Sequence, residues 1–274
     1  MRLGYCGEIN DAAMVAEAGY DFLEVNIQKV LAGESDDATW AKTAPDPAKL
    51  AVPIEAANCL LPGHLKVIGP ERDLAALGRY MSRVAQRAAR LGIHRLVFGS
   101  GGARRRPETV SEAQADEDLR QFAQLAADAC GEHDVLLVIE HLNRGETNTL
   151  NTLHEARLLA EHVEHPALAV LVDSYHFGLE KETEAELLAL GERVRHVHVA
   201  EPVGRIEPGG HGADTGKAFD FIEFFSTLRK LGYDERISIE ASWSRPFAQT
   251  GADVRRYLQQ AWNEAGAGAD ARTE

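Results

Sequence analysis

Eight short runs rich in β-branched and large aliphatic residues recur along the chain, separated by longer stretches of helical periodicity, and this alternation limits the fold more than any other feature. The runs are Leu3 to Tyr5, Phe22 to Asn26, Ile54 to Asn58, Arg95 to Phe98, Val135 to Glu140, Ala169 to Asp173, Val194 to Val199 and Arg236 to Glu240. Between them lie segments such as Leu74, Leu77, Met81, Val84, Ala88 and Leu91, whose three-and-four spacing puts every member on one helix face. Thr152 with Glu155 reads as a capping box, and Ala18-Gly19, Leu91-Gly92 and Leu231-Gly232 read as helix ends. An alternating α/β chain with eight strands predicts a single (β/α)8 barrel over residues 1–264, with a flexible tail over 265–274. A doubly wound open sheet is the alternative. The 274 residues suit one barrel, which normally takes about 250.

Composition narrows the partners. A net charge of −14 repels a phosphate backbone, and only Arg104, Arg105 and Arg106 cluster basic charge, so nucleic acid is not expected. Cys6, Cys59 and Cys130 are scattered and odd in number, which argues against a disulfide framework and fits a reducing cytoplasm. No apolar h-region opens the chain and no stretch is long enough to cross a bilayer, so a soluble cytoplasmic protein without membrane attachment is expected. Two connections, Gly33 to Pro53 and Gly99 to Glu112, exceed the usual few residues and read as walls or lids of a site.

In such a barrel, chemistry sits at the C-terminal ends of the strands. The fifth run stops at Glu140, the sixth at Asp173 and the eighth at Glu240, while the seventh carries His196 and His198. Each residue alone has a plainer explanation: an acid at a strand end is commonly a helix N-cap, and a strand histidine is commonly a satisfied core residue. Together, three carboxylates and an imidazole from four consecutive strands predict a divalent metal site, because unpaired carboxylates at an apolar mouth repel one another. His196 lies one layer deeper than His198, where a structural role is expected.

The segments Ile139-Glu140-His-Leu-Asn-Arg-Gly-Glu146, Asp173-Ser-Tyr-His176 and His196-Val-His198-Val-Ala-Glu201, with the terminal-strand Glu240, resemble the ketose 3-epimerase branch (D-tagatose and D-psicose 3-epimerases) of the xylose-isomerase-like TIM barrels, sugar phosphate isomerases and epimerases. The resemblance covers most of the chain. It implies one divalent metal ion, manganese, magnesium or cobalt, held by Glu140, Asp173, His198 and Glu240. It further implies that Glu140 and Glu240 form the acid/base pair and that Glu146 and His176 hydrogen-bond a carbohydrate substrate. Asn143 and Arg205 are further substrate-binding candidates, and Asn143 is also a candidate to orient Glu140. The family arginine stands six residues after the metal histidine, whereas here position 204 is Gly and Arg205 is seven away. Relatives are often dimers or tetramers, so a homo-oligomer is implied.

The resulting expectation is α-proton chemistry on a ketose: one carboxylate takes the proton beside a polarised carbonyl and a second carboxyl returns one. Hydroxypyruvate isomerase, inosose dehydratase and C-glycoside cleavage are alternatives that begin with the same step. An apurinic-site endonuclease with three zinc ions is a more distant one, for which His64, and His211 with Asp214, would be remnants of an incomplete set of extra ligands. A non-catalytic sugar-binding barrel is the last. Arg104 to Arg106 read as a solvated basic loop or, less simply, as a substrate-phosphate clamp.

Overall fold

The computed structural model describes residues 1–209 and 218–270. Their strands are β1 (Arg2–Cys6), β2 (Phe22–Asn26), β3 (Ile54–Asn58), β4 (Arg95–Phe98), β5 (Leu136–Glu140), β6 (Leu168–Asp173), β7 (Val194–Val199) and β8 (Arg236–Ile239). All pair in parallel with their sequence neighbours, and β1 pairs with β8, which closes the barrel. The expected (β/α)8 barrel is therefore the fold, and the open sheet is excluded. Strands covered on both sides show up as near-continuous apolar runs, which is why all eight stand out in the sequence within a residue or so.

The helices are α1 (Ala12–Glu17), α2 (Ile27–Val30), α3 (Asp37–Trp40), α4 (Leu74–Leu91), α5 (Gly101–Arg104), α6 (Glu112–Gly131), α7 (Leu153–Val163), α8 (Ser174–Glu180), α9 (Glu184–Leu188), α10 (Phe221–Lys230) and α11 (Phe247–Asp270). The last helix thus runs into the segment expected as a tail. Side-chain oxygens cap the long helices: Asp73 accepts from Ala76 N, Ser111 from Gln114 N, Thr152 from Glu155 N and Asp220 from Glu223 N. The Thr152 cap forms as read, but Glu155 reaches back to the amide of Asn151 rather than to that of Thr152. Gly19, Gly92 and Gly232 all take positive φ, as helix-terminating residues do. Among the described residues, no helix is long and apolar enough to cross a membrane.

Most apolar side chains fill the layer between strands and helices. A small separate group, Val97, Val138, Ala169 and Leu171, fills part of the barrel interior. Phe22 fills another part, and Gly4 lacks a side chain because a Cβ there would stand 2.2 Å from the Phe22 ring. The N-terminal end of the barrel is closed by ion pairs instead: Arg2 and Arg236 meet Glu55, and Arg95 and Arg195 meet Glu235. Alternation along each strand then sends the next inward residues toward the opposite mouth: Leu171 is followed by Asp173, Val138 by Glu140, His196 by His198 and Ser238 by Glu240.

The two long connections are organised differently. The first folds onto α4: Arg87, fully buried, donates to the carbonyls of Leu31 (2.8 Å), Ala32 (2.7 Å) and Ser35 (2.8 Å) and pairs with Asp37, while its guanidinium stacks 5.0 Å from Trp40. The second runs beside the mouth. Arg104 is not solvated there but fully buried, donating to the carbonyls of Phe98 (3.1 Å), Glu140 (2.8 Å) and Leu150 (3.3 Å). Arg105 donates to Glu146 O, and Arg106 to Val110 O. Neither the solvated loop nor the phosphate clamp describes Arg104, because the guanidinium is consumed in tying β4, β5 and the following loop together. Arg104→Met, which leaves three carbonyls without that donor, is expected to cost about 3 kcal/mol and on the order of 10 °C in Tm. Arg105→Met, at an exposed position, is the control and should move the thermal transition little.

Candidate metal and acid/base centre

The four strand-end residues do meet. One ligand atom each from Glu140, Asp173, His198 and Glu240 lies within 4.8 Å of the others. Each is placed by its strand, and each is fixed by a different neighbour.

Asp173 takes the plainer of its two readings, a helix N-cap, and also faces the centre. It is the N-cap of α8, with Oδ1 accepting from Tyr175 N at 2.9 Å, while Oδ2 faces the site. Burial pushes its carboxyl up to about 7, with Glu140 adding to the rise and Arg205 opposing it. Glu240 is gripped at both oxygens: Asn58 Nδ2 donates to Oε1 at 3.0 Å, and Arg205 donates to Oε2 at 2.6 Å. Burial alone would raise the Glu240 carboxyl, but the His198 ring and the Arg205 guanidinium outweigh it and hold it below the ordinary carboxylate range. Glu140 turns Oε1 inward, 3.5 Å from His198 Nδ1. Its Oε2 fills the space where residue 99 has no side chain.

His198 Nδ1 also lies 3.1 Å from Glu240 Oε2, so this nitrogen faces the carboxylates. Its Nε2 points the other way, 2.8 Å from Glu24 Oε1. Glu24 holds His196 Nε2 at 2.8 Å with its second oxygen, which gives His196 the structural place expected for it. Glu24 itself was not among the candidates. A lone acid inside Phe-Leu-Glu-Val-Asn, flanked by apolar residues on both sides, was the available signal.

The remaining candidates line the same mouth. Asn143 does not orient Glu140; its amide nitrogen donates to Glu146 Oε1 at 2.9 Å, and its backbone N donates to His176 Nδ1 at 3.0 Å. With Nδ1 accepting, the His176 proton sits on Nε2, which lies 3.5 Å from Asp173 Oδ2 and 4.0 Å from Glu140 Oε1. Burial and the nearby His141 and Arg205 lower the His176 pKa, so the ring is a neutral donor. Arg205 reaches the site despite its shifted spacing. Residues 201–206 form a turn closed by Glu201 N to Ile206 O (2.9 Å), and Arg205 O accepts from Ser242 N (2.7 Å) with Arg205 at φ +49°. Its guanidinium stacks 4.7 Å from the Tyr175 ring and lies 3.6 Å from Glu146 Oε1 and from Asp173 Oδ2. This turn carries Arg205 to the mouth.

Three of the buried atoms without a hydrogen-bond partner among the described residues lie at this mouth: Glu140 Oε1, Asp173 Oδ2 and His176 Nε2. They face one another across the centre. Buried carboxylate oxygens left without partners are costly, and three carboxylates plus one imidazole form a donor set suited to a hard or borderline divalent cation. The residues therefore fit a metal ion. A second cluster, Cys6, Glu24 and His198, is also close enough to hold one. There the Glu24 oxygens already face two ring nitrogens, and burial with the Glu24 charge raises the Cys6 thiol well above its usual range, so this cluster offers fewer free ligand atoms than the first. Of the endonuclease-type candidates, His64 is exposed and paired with Glu34 at 2.8 Å, and His211 and Asp214 lie outside the described residues.

A ketose 3-epimerase of Arthrobacter globiformis is 31% identical over 117 residues, 42% of this chain but only 38% of that relative's own length. A D-psicose 3-epimerase of Agrobacterium fabrum (strain C58 / ATCC 33970) is 24% identical over 265 residues, covering 93% of this chain and 84% of that protein. The solved structure of an L-ribulose 3-epimerase superposes with a TM-score of 0.81 at 17% identity, covering 100% of this chain and 98% of the other, and this likeness concerns the fold. The family model described as the xylose isomerase-like TIM barrel matches residues 12–263. With the barrel closed and a match over nearly its whole length, the chain belongs to the xylose isomerase-like TIM barrel family.

Proposed function

We propose that this protein is a divalent-metal-dependent epimerase or isomerase of a small ketose-like carbohydrate. The observation that carries the reading is the convergence of Glu140, Asp173, His198 and Glu240 at the barrel mouth, with inward-facing carboxylate oxygens left unpartnered. The names of the Arthrobacter globiformis and Agrobacterium fabrum relatives, both sugar epimerases, support the same class. Glu140, Asp173, His198 and Glu240 would hold the ion, with manganese, magnesium or cobalt as candidates. When bound, it would supply a Lewis acid that polarises the substrate carbonyl and steadies negative charge developing on the adjacent oxygens.

The proton work falls to the two glutamates. Glu240, held by the Arg205 guanidinium at 2.6 Å and by Asn58 Nδ2 at 3.0 Å, is suited to accept the proton from the carbon beside the carbonyl. Glu140, arriving from β5 on the far side of β6 and β7, is placed to return a proton from another direction. Return to the same carbon from the opposite face gives epimerisation, and return to the neighbouring carbon gives aldose–ketose isomerisation. Neutral His176 offers its Nε2 proton to a substrate oxygen, while Arg205, stacked on Tyr175, and Glu146, steadied by Asn143, offer groups to further hydroxyls.

The test combines metal analysis of the purified protein with NMR of ketoses, inososes and hydroxypyruvate in deuterated water. Solvent deuterium entering one substrate carbon without loss of water is the expected result. An elimination product, or no exchange with any of these substrates in the presence of manganese, sinks the proposal.

A further inference from the structure

We infer that Glu24 is the positioning residue of the site: from inside the barrel its carboxylate accepts the Nε2 proton of His198 and so keeps the Nδ1 lone pair turned toward Glu140, Asp173 and Glu240. The inference rests on the proposal that these four residues hold an ion, and it adds a residue outside that set.

Glu24 stands on β2, separated from β7 around the barrel by β8 and β1, and it reaches both β7 histidines. Its side chain and both rings are fully buried. A carboxylate in such a place is costly unless each oxygen is paired, and here each is, at 2.8 Å to a ring nitrogen. The two histidines do different things. His198 receives the orientation, because a carboxylate cannot donate and its partner nitrogen must therefore carry the hydrogen. His196 occupies the second Glu24 oxygen and prevents the carboxylate from turning away. Since His196 and His198 are two apart on one strand, both fall on the interior face, and their rings meet edge to face at 5.1 Å. One buried acid is thus fixed by the first ring and fixes the second. A ligand histidine whose other nitrogen is anchored by a carboxylate is both oriented and made more basic, and loss of such a partner typically weakens metal binding about 10- to 100-fold.

The test uses the full-length protein stripped of metal and titrated calorimetrically with Mn2+. Glu24→Gln keeps the volume and an acceptor oxygen but removes the charge, and its Kd for Mn2+ should rise about 10- to 100-fold. A purely structural role would lower the thermal stability of the metal-free protein and leave Kd in place. The second measurement needs no variant: nitrogen-15 NMR of the wild type with Zn2+ should show His198 protonated at Nε2 and ligating through Nδ1. Unchanged Mn2+ affinity in Glu24→Gln, or the reverse tautomer in the wild type, overturns the inference. Neither readout involves turnover. A wild type that binds Mn2+ in this way yet exchanges no proton of any ketose defeats the proposed reaction and leaves the role of Glu24 standing.

Discussion

Replacing either Glu140 or Glu240 with Gln should reduce kcat for proton exchange by at least about 10²- to 10⁴-fold even at saturating metal, the range a positioned acid or base contributes. The substitution is close to isosteric, and at position 240 the Arg205 guanidinium can still bond the amide oxygen while Asn58, its amide flipped, accepts from the new NH2. The side chain should therefore stay in place while losing its capacity to take up a proton. Because both residues are also placed to hold the ion, metal content must be measured on each variant, and the comparison made on protein brought to wild-type occupancy. Full turnover by either variant at equal occupancy would remove that glutamate from the acid/base pair. Retention by both would return the barrel to a sugar-binding role.

Gly99→Ala should have an effect of similar size on function and a small one on stability. A Cβ at residue 99 would stand 2.2 Å from Glu140 Oε2, 3.4 Å from its Cδ and 3.6 Å from Leu142 Cδ2. The first distance is impossible, so something must move, and the atom that moves most easily is the carboxylate at the end of a flexible side chain. The backbone behind it is held, because Arg104 binds Glu140 O at 2.8 Å. The methyl group thus displaces the Glu140 carboxylate rather than the strand. A shift of about 1 Å at a reacting group is worth on the order of 10²-fold in rate. The expected result is a loss of that order in kcat together with weaker Mn2+ binding, and a Tm within a few degrees of wild type. If the alanine variant keeps both its rate and its metal affinity, Glu140 does not work from the position described.

The strands and the four converging residues were legible because both depend on short-range rules. A parallel strand covered on both sides leaves an apolar run, and a polar residue ending such a run points at the mouth. Glu24 escaped because it sits in the middle of its strand, where the same alternation that exposes strand ends hides an acid among apolar neighbours; its partners lie 172 and 174 residues away. Asn58 ends β3 and could have been paired with Glu240 only by knowing the barrel's closure. Arg104 was misread for the converse reason. Three consecutive arginines look alike in a sequence, and which of them turns inward is decided by the helical turn Gly101–Arg104 and by carbonyls on β4 and β5. Arg205 depends on a turn with positive φ, a geometry that spacing alone does not encode.

The seam between β1 and β8 joins residues 2–5 to residues 236–239. During synthesis the first strand to emerge is therefore the one that waits longest for its second neighbour, and until the last strand arrives its free edge can pair with any other extended chain. Because Glu55 is shared between Arg2 and Arg236, the charged belt at that end also stays half-assembled until then. Complete closure is consequently a late, long-range event, slow by its contact order and vulnerable to premature termination. A chain cut short before β8 would lack α11 as well and would present two raw sheet edges, an arrangement prone to aggregate.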